Sequence, residues 1–293
     1  MTNKYGQCLL ESGEPIPGVF ASGDAALFRH IATGEQFPVL LAGPTARASR
    51  LCAWNAMNAE AMKEIPPASA NSILRIFDQY IGQVGASFKH LKRANVDFRE
   101  VHATWTSKPE WFPGFTPIHV SARFEKGTDR LIGASVASSC ADVAKILDTL
   151  SVYVQLHGTS ADLAEFELAY APVVAGPKSV VNFIGNVAQN ELLGLSKTVT
   201  PEEVMENNIP LVDVRPPMMR KNMGWIKGSI NIPLATIRDS SDLPEGKFAV
   251  ICKSGKFSHT AFRALLQKGC DVSNVSGGFF AFGRKFPHMV CKK

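Results

Sequence analysis

Cys252 lies where an apolar run of the sequence meets a glycine-containing loop. Residues 249–251 are apolar and mostly β-branched, which predicts a buried strand that ends at this cysteine. A Lys/Ser/Gly loop follows, and a helix-period pattern of apolar residues then runs as far as Gly269. Such a strand-loop-helix turn directs backbone N–H groups and the positive end of the helix dipole at the loop. A thiol there, with Lys253 and Lys256 beside it, should ionise readily and act as a nucleophile.

The sequence around this cysteine resembles the active-site loop of the rhodanese family, in which a cysteine carries a sulfane sulfur as a persulfide. The family pattern Cys-x-x-Gly-x-Arg-Ser reads Cys-Lys-Ser-Gly-Lys-Phe-Ser over residues 252–258. Three further rhodanese motifs are matched by residues 211–215 (Leu-Val-Asp-Val-Arg, as the first core strand), 224–233 (Gly-Trp-Ile-Lys-Gly-Ser-Ile-Asn-Ile-Pro) and 275–279 (Val-Ser-Gly-Gly-Phe). Because the four motifs occur in the family's order, the resemblance predicts a C-terminal rhodanese-like α/β domain with a short parallel sheet between helices.

The resemblance implies a sulfurtransferase site centred on Cys252. Its thiolate would take sulfur from a donor, form a persulfide and pass the sulfur to a nucleophilic acceptor. Backbone N–H groups of residues 253–258 would stabilise the anionic sulfur, and the loop lysines would attract anionic donors. The implied site residues are Cys252, Lys253, Ser254, Gly255, Lys256 and Ser258.

Two positions depart from the rhodanese pattern. Phe257 stands where the family has a loop Arg, and Trp225 stands where it has a His. The loop lysines replace the lost charge only as mobile point charges, not as a planar clamp. A second interpretation therefore stays open, in which Cys252 is a buried, inert thiol of a non-catalytic domain. A phosphatase interpretation fails, because no Arg closes the loop to hold a phosphate through two parallel hydrogen bonds.

Residues 16–24 and 40–45 carry a second resemblance. The first segment predicts a strand that ends in Gly-Asp, and the second, Leu-Leu-Ala-Gly-Pro-Thr, leads into a long helical pattern with Pro in its first turn. Together they resemble the end of the FAD domain in pyridine nucleotide-disulfide oxidoreductases. The resemblance implies that Asp24 meets the ribityl chain of the flavin, and that Ala42 and Gly43 approach its isoalloxazine ring. Without it, Asp24 would be taken for a turn residue.

The middle of the chain resembles the dimerisation domain of the same reductases. Residues 72–77 alternate like a strand, residues 117–136 predict a hairpin, and an apolar helix face follows. This helix face consists of Val143, Ile146, Leu147, Leu150 and Val154. The branch with the greatest similarity is that of the coenzyme A-disulfide reductases and NADH oxidases, on the strength of residues 167–172 (Glu-Leu-Ala-Tyr-Ala-Pro) and 181–190 (Val-Asn-Phe-Ile-Gly-Asn-Val-Ala-Gln-Asn).

Within that branch two tyrosines reach the active site of the partner subunit. Tyr170 occupies one of these positions and is implied to contact the substrate. The other lies in a Tyr-Tyr-Pro-Gly motif, which reads Trp-Phe-Pro-Gly over residues 111–114, so one phenolic donor is missing. An amphipathic residue at the edge of a packed interface is an equally good interpretation of Tyr170.

Members of this reductase family with a C-terminal rhodanese domain form a known class, and the chain has that order of motifs. The N-terminal half of the family carries a Gly-x-Gly-x-x-Gly fingerprint for FAD, a redox cysteine and an NADH domain, and the fingerprint is absent from this sequence. We therefore expect the C-terminal half of a longer reductase, from a truncated product or a misassigned start. FAD is the family's cofactor with an incomplete site here, and NADH belongs to the parent family alone. Residues 1–65 should be partly disordered or seek a partner.

The sequence thus predicts a chain of α/β and α+β class with three parts. Residues 1–66 are the C-terminal edge of an FAD-binding domain, residues 67–194 a dimerisation domain with an antiparallel sheet and helices, and residues 195–293 the rhodanese-like domain. The expected function is persulfide chemistry at Cys252, attached to part of a coenzyme A-disulfide, persulfide or polysulfide reductase. Two alternatives stay open: a non-catalytic dimerisation and thiol-binding module, or half of a flavin reductase that needs a separate N-terminal part.

Composition agrees with a multi-domain globular protein. The 293 residues are 45% hydrophobic and 19% charged, and the net charge of +5 comes from scattered lysines and arginines. These features predict no nucleic-acid partner and no membrane span. The six cysteines show no Cys-x-x-Cys pairing, which argues against a metal site and a disulfide framework and favours a reducing cytoplasm. The expected partners are a second copy of the chain, sulfane-sulfur donors, and low-molecular-weight thiols such as coenzyme A.

Overall fold

The structure is a computed structural model and describes residues 1–292. Its helices are α1 Ala42–Met57, α2 Phe88–Arg93, α3 Val143–Gln155, α4 Ser160–Glu165, α5 Val180–Leu192, α6 Pro201–Glu206, α7 Pro217–Met223, α8 Lys256–Leu266 and α9 Gly278–Lys285. Its strands are β1 Gln7–Leu9, β2 Pro15–Phe20, β3 Leu27–Arg29, β4 Gln36–Pro38, β5 Ser72–Ile76, β6 Gln79–Gly85, β7 Phe98–Thr106, β8 Pro117–Glu125, β9 Leu131–Ser138, β10 Thr198–Val199, β11 Leu211–Asp213, β12 Trp225–Ile226, β13 Ile230–Asn231, β14 Phe248–Ile251, β15 Val272–Val275 and β16 Val290–Cys291. Within residues 1–292, none of the helices combines the length and apolar character that a bilayer span requires.

The described chain divides into two compact units. The first contains Met1–Arg99, Arg123–Val136 and Val143–Thr159, and the second contains Glu100–Ala122, Ala137–Asp142 and the chain from Ser160 onwards. This division does not follow the three predicted parts, because residues 100–122 group with the C-terminal region. The predicted boundaries after residues 66 and 194 stay predictions.

The first 66 residues form regular elements rather than a disordered edge. Strands β1 and β2 pair antiparallel, as do β3 and β4, and α1 follows them. A small cluster holds the region together, with Phe28, Val39 and Ala48 buried at its centre. The expectation of partial disorder is therefore wrong for these residues. Large apolar side chains nevertheless remain exposed here, among them Leu40 and Met57, which is the kind of surface that a partner covers.

The middle of the chain contains a five-stranded sheet with the order β5-β6-β9-β8-β7. Strands β5 and β6 form an antiparallel hairpin, which matches the strand predicted at residues 72–77. Helix α3 buries its whole predicted apolar face, because residues spaced by three and four positions share one side of a helix. That buried face consists of Val143, Ile146, Leu147, Leu150 and Val154.

The C-terminal region contains the predicted parallel sheet, with the order β10-β15-β14-β11-β13. Two apolar clusters cover the central strands, and strand β14 is buried along its full length. Strand β11, predicted as the first core strand, follows the two-residue edge strand β10 in the chain. Helix α6 begins with a capping box between Thr200 and Glu203, as the Thr-x-x-Glu spacing of these residues indicates.

His119 on β8 is kept neutral near pH 7 by its surroundings. Its Nδ1 atom lies 2.9 Å from the Thr104 hydroxyl oxygen, and its ring centroid lies 5.9 Å from that of Phe280. Burial, with a smaller contribution from the positive charge of Arg284, lowers the pKa of His119 from 6.5 to about 4. The unfolded chain then binds the proton more tightly, so this group's stabilising contribution is complete above pH 6.5 and is lost as the pH falls towards 4. The expected loss is about 3 kcal/mol.

The measurement is the free energy of unfolding in urea at several pH values between 7.5 and 4.5. His119→Gln serves as the matched variant, since it keeps a polar side chain but cannot titrate. The difference between the two proteins isolates His119, because the other titrating groups are common to both. An equal pH dependence for both would contradict the assignment.

Candidate functional site

Cys252 occupies the position that the sequence predicts, directly after strand β14. Residues of β14 pair with β11 and β15 on either side, which fixes the strand end from which the cysteine emerges. The cysteine is only 1% exposed and packs in an apolar cluster that includes Val212 and Ala261. A sulfur donor can therefore reach Sγ only after the loop that follows, or the side chains above it, move aside.

The sulfur atom is held by donors from its own loop. The Gly255 N–H donates to Cys252 Sγ over 3.2 Å, and the Ser258 hydroxyl donates over 3.3 Å. Gly255 is also the residue that precedes α8, and its φ of +96° is one that glycine adopts readily. The loop thus places a backbone donor, a hydroxyl and the start of an eleven-residue helix around one sulfur. Such an arrangement stabilises negative charge on sulfur.

The first turn of α9 is joined to the Cys252 loop by backbone hydrogen bonds. The Phe279 N–H donates to the Cys252 carbonyl over 2.8 Å, and the Phe280 N–H donates to the Lys253 carbonyl over 3.2 Å. Gly278 adopts a φ of +61°, and a Cβ atom there would lie 2.7 Å from both the Cys252 carbonyl oxygen and the Gly255 nitrogen. The sequence motif predicts the Gly-Gly turn as part of the fold but not as part of the site. Two adjacent glycines directly after a core strand were the available signal.

The two loop lysines do not direct their ammonium groups at the sulfur. Lys253 Nζ lies 2.9 Å from Glu110 Oε1, and Lys256 Nζ lies 5.0 Å from the ring centroid of Trp105. Both lysines line a cavity of about 270 Å³, together with Ser254 and several apolar side chains. Cys252 itself is not among the described residues that line it. The charge predicted for the site is therefore present beside the loop and faces this cavity.

A buried ion pair lies at the end of strand β11. The guanidinium of Arg215 donates to both carboxylate oxygens of Asp213, at 2.5–3.1 Å, and also to the Gly224 carbonyl over 2.9 Å. Both charged side chains are only 1% exposed, and the guanidinium lies 4.2 Å from the ring centroid of Phe279. The pair thus links the predicted Asp-Val-Arg motif to the first turn of α9. The Asp-Val-Arg motif predicts a strand end here but does not indicate this ion pair.

Of the two residues that depart from the rhodanese pattern, one lines the cavity beside the Cys252 loop and the other does not. Phe257 is 51% exposed and lines the cavity next to the loop lysines. Trp225 lies in β12, away from that lining, and its ring is 5.5 Å from the Arg220 guanidinium. A change at residue 257 therefore bears directly on the space beside the loop.

The residues implied in flavin binding form part of one surface. Asp24 is exposed in a single helical turn, and the buried Gly23 before it is packed so closely that a Cβ atom would lie 2.7 Å from the Thr45 side chain. Helix α1 begins at Ala42 and Gly43, and Leu41 before it supplies no capping side chain. The first N–H groups of α1 are thus available to an external acceptor. A carboxylate and these N–H groups fit one edge of a flavin, and the part of the chain described here adds no dinucleotide fold around them.

Tyr170 lies in an irregular segment between α4 and α5 and is 55% exposed. Trp111, in the segment that replaces the second tyrosine motif, is 75% exposed. Both positions are accessible, and their roles stay predictions. Among residues 1–292, no group of three or more His, Cys, Asp or Glu side chains is arranged to hold a metal ion.

The C-terminal region matches a known protein family. The match is to the Rhodanese-like domain and covers residues 200–285, which include the Cys252 loop and the start of α9. Residues 200–285 form a rhodanese-like domain. The loop, the parallel sheet and the Gly-Gly turn predicted from sequence all lie inside or at the edges of this domain.

Comparisons with longer proteins also bear out the predicted resemblance. A coenzyme A disulfide reductase from Staphylococcus epidermidis is 33% identical over 177 residues, which are 59% of this chain and 39% of that protein. The structure of reduced CoADR-RHD from Bacillus anthracis aligns with a TM-score of 0.85 and 30% identity, over 97% of this chain and 53% of that one. An NAD-dependent persulfide reductase from A. fulgidus aligns with a TM-score of 0.82 and 26% identity, over 96% and 50% respectively.

These relatives are longer than the region that they share with this protein. The chain spans about half the length of the two solved structures and 39% of the curated relative. The rhodanese-like domain at the C-terminus and the likeness to coenzyme A disulfide reductases confirm the predicted combination of the two families.

Proposed function

We propose that the rhodanese-like domain transfers sulfane sulfur through Cys252. The observation that carries this proposal is the pair of hydrogen bonds to Cys252 Sγ, from the Gly255 N–H and the Ser258 hydroxyl, at the start of α8. With thiosulfate as donor, the Cys252 thiolate attacks the outer sulfur, a new S–S bond forms, and sulfite leaves with the electron pair of the broken S–S bond. The product is a Cys252 persulfide. A thiolate acceptor then attacks its outer sulfur and forms a new S–S bond, and the Cys252 thiolate leaves with the electron pair of the broken S–S bond.

We further propose that the acceptors are low-molecular-weight thiols such as coenzyme A, and that the chain works as a homodimer in the cytoplasm. The names of the two reductase relatives, which refer to coenzyme A disulfide and to persulfide, support this substrate class. FAD, when bound, would carry electrons from NADH to a disulfide or persulfide. In this chain the Asp24 carboxylate and the first N–H groups of α1, at Ala42 and Gly43, would hold one edge of it.

Two alternatives have specific observations in their favour. The 1% exposure of Cys252 and the Phe257 substitution favour a non-catalytic thiol-binding module. The uncapped start of α1 next to Asp24 favours half of a flavin reductase that pairs with a separate N-terminal part. Yellow colour on co-purification with such a part would support the flavin alternative, and a colourless complex would count against it.

The test of the proposed function is the intact mass of the purified protein after incubation with thiosulfate. Sulfur transfer predicts a gain of one sulfur atom that cyanide removes and that Cys252→Ser lacks. A mass gain that persists in Cys252→Ser would place the sulfur on another of the cysteines. A protein with no adduct would instead support the thiol-binding alternative.

Restoring the family's residue at position 257 should accelerate sulfur uptake. Phe257→Arg adds a planar cation to a cavity wall that already holds Lys253 and Lys256, so an anionic donor should be bound more tightly. We expect roughly a 10-fold rise in kcat/KM for thiosulfate, the size of one favourable charge-assisted contact. Phe257→Leu is the matched control, since it opens space without adding charge. An equal rise in both variants would attribute the effect to access rather than to charge.

A further inference from the structure

Glu110 brings a negative charge to the Cys252 loop from outside the rhodanese-like domain. It lies in the segment between β7 and β8, and its Oε1 atom is 2.9 Å from Lys253 Nζ. The Lys253 side chain is 19% exposed and the Glu110 side chain 59% exposed, so the lysine is the more enclosed partner. Lys253 directly follows Cys252, and this contact therefore alters the charge one residue away from the nucleophile.

The cavity beside the loop is otherwise positively charged. Lysines from three segments line it, namely Lys108, Lys178, Lys253 and Lys256. Within the described chain, Glu110 is the only acidic residue of this lining, and its carboxylate pairs with just one of the four lysines. The Trp105 indole N–H donates to the Lys178 carbonyl over 2.9 Å, which fixes the backbone of that lysine at the cavity wall.

We propose that Glu110 determines which charge of sulfur donor the Cys252 loop prefers. By neutralising Lys253 it lowers the positive potential of the cavity, and this disfavours a dianionic donor more than a monoanionic one. The reason is that the electrostatic energy of a donor scales with its charge. The inference rests on the proposed sulfur transfer at Cys252 and identifies a residue that sets its specificity.

Two donors of the same reaction type separate the effect of charge from that of chemistry. Thiosulfate, a dianion, gives its outer sulfur to the Cys252 thiolate and releases sulfite. Methanethiosulfonate, a monoanion, gives its outer sulfur in the same way and releases methanesulfinate with the bonding electron pair. Both reactions form one S–S bond, break one S–S bond and leave the same Cys252 persulfide.

The experiment compares kcat/KM for the two donors in the full chain and in Glu110→Gln. The kcat/KM for thiosulfate divided by that for methanethiosulfonate should rise roughly 3- to 10-fold in the variant. The factor is modest because Glu110 is partly exposed, and nearby solvent weakens its electrostatic interaction with the donor. The rise should reside mainly in KM and shrink at high salt, because screening weakens such interactions. A ratio that stays at the wild-type value would overturn the role of Glu110.

A control variant tests whether the effect is local. Glu202→Gln removes a carboxylate from another ion pair, with Lys285 at 2.7 Å, that does not line the cavity, and it should leave the ratio unchanged. The same change in Glu202→Gln as in Glu110→Gln would show that overall charge governs the preference and would overturn the inference.

Failure of the inference is distinguishable from failure of the proposed function. If the wild-type protein takes sulfur from neither donor, the proposed sulfur transfer is overturned, and the inference that rests on it is overturned too. If persulfide forms with an unaltered donor ratio, only the role of Glu110 is overturned. In a Cys252→Ser background, calorimetry with thiosulfate measures recruitment without chemistry, and adding Glu110→Gln should tighten this binding by a similar factor.

Discussion

Replacing Gly278 with alanine is expected to cut sulfur uptake at Cys252 at least 100-fold, the typical effect of losing an anion-stabilising donor. It should also destabilise the C-terminal region by about 3 kcal/mol, from backbone strain and overpacking together. The added Cβ atom would lie 2.7 Å from the Cys252 carbonyl oxygen and 2.8 Å from the Ser254 nitrogen. These are backbone atoms of the loop itself, so relief requires the loop to move. The Gly255 N–H would then leave its position 3.2 Å from Sγ.

Gly269→Ala is the matched control for this prediction. Gly269 has a φ of +81°, and a Cβ atom there would meet nothing within 4 Å. The control therefore introduces backbone strain without the collision and should cost about 1 kcal/mol while leaving sulfur uptake intact. Urea unfolding gives the stability of each variant, and intact mass after a timed thiosulfate pulse gives the rate of uptake. Similar losses in both variants would mean that strain alone, and not displacement of the loop, controls the site.

Replacing Arg215 with methionine should destabilise the rhodanese-like domain by about 3–5 kcal/mol. The substitution keeps an apolar stem but leaves the Asp213 carboxylate buried without its main partner. Arg220 lies 3.9 Å from the same carboxylate and offsets only part of the loss, because its side chain donates to Ser229. The expected change in the free energy of unfolding is measured by urea titration.

A second variant separates the unpaired charge from lost packing. Asp213→Asn together with Arg215→Met removes both charges and keeps an oxygen to accept from the Arg215 backbone N–H, so it should recover most of the stability. Asp271→Asn, which breaks the exposed pair with Lys197, should cost no more than about 1 kcal/mol. If the double variant is as unstable as the single one, packing around the guanidinium, including its contact with Phe279, carries the effect instead.

Local patterns in the sequence predict much of this fold because each pattern depends only on residues that are near one another in the chain. The apolar run before Cys252 forms β14, the glycine after it precedes α8, and Thr200 caps α6 as its spacing indicates. The face of α3 follows from helical periodicity alone. Ordered motifs added the parallel sheet, which short strands of two to four residues would not have indicated by themselves.

The electrostatics of the candidate site could not be predicted in the same way. Lys253 and Glu110 are 143 positions apart, and no periodicity or spacing connects them. The sequence places Lys256 beside the thiol, whereas its position over Trp105 depends on how a strand and a loop of distant segments pack. The same limit applies to residues 1–66, where Phe28, Val39 and Ala48 form a local cluster that no motif or periodicity in the sequence predicts.

The hydrogen bonds between α9 and the Cys252 loop bear on the smallest fragment able to do the chemistry. A fragment that stops before Gly278 keeps every residue of the motif from Cys252 to Ser258. It loses the Phe279 and Phe280 N–H groups, to which the carbonyls of Cys252 and Lys253 are bound. The position of the Cys252 thiol therefore depends on two chain segments that are joined through backbone hydrogen bonds. The presence of the motif in a shortened protein does not indicate that its thiol keeps this position.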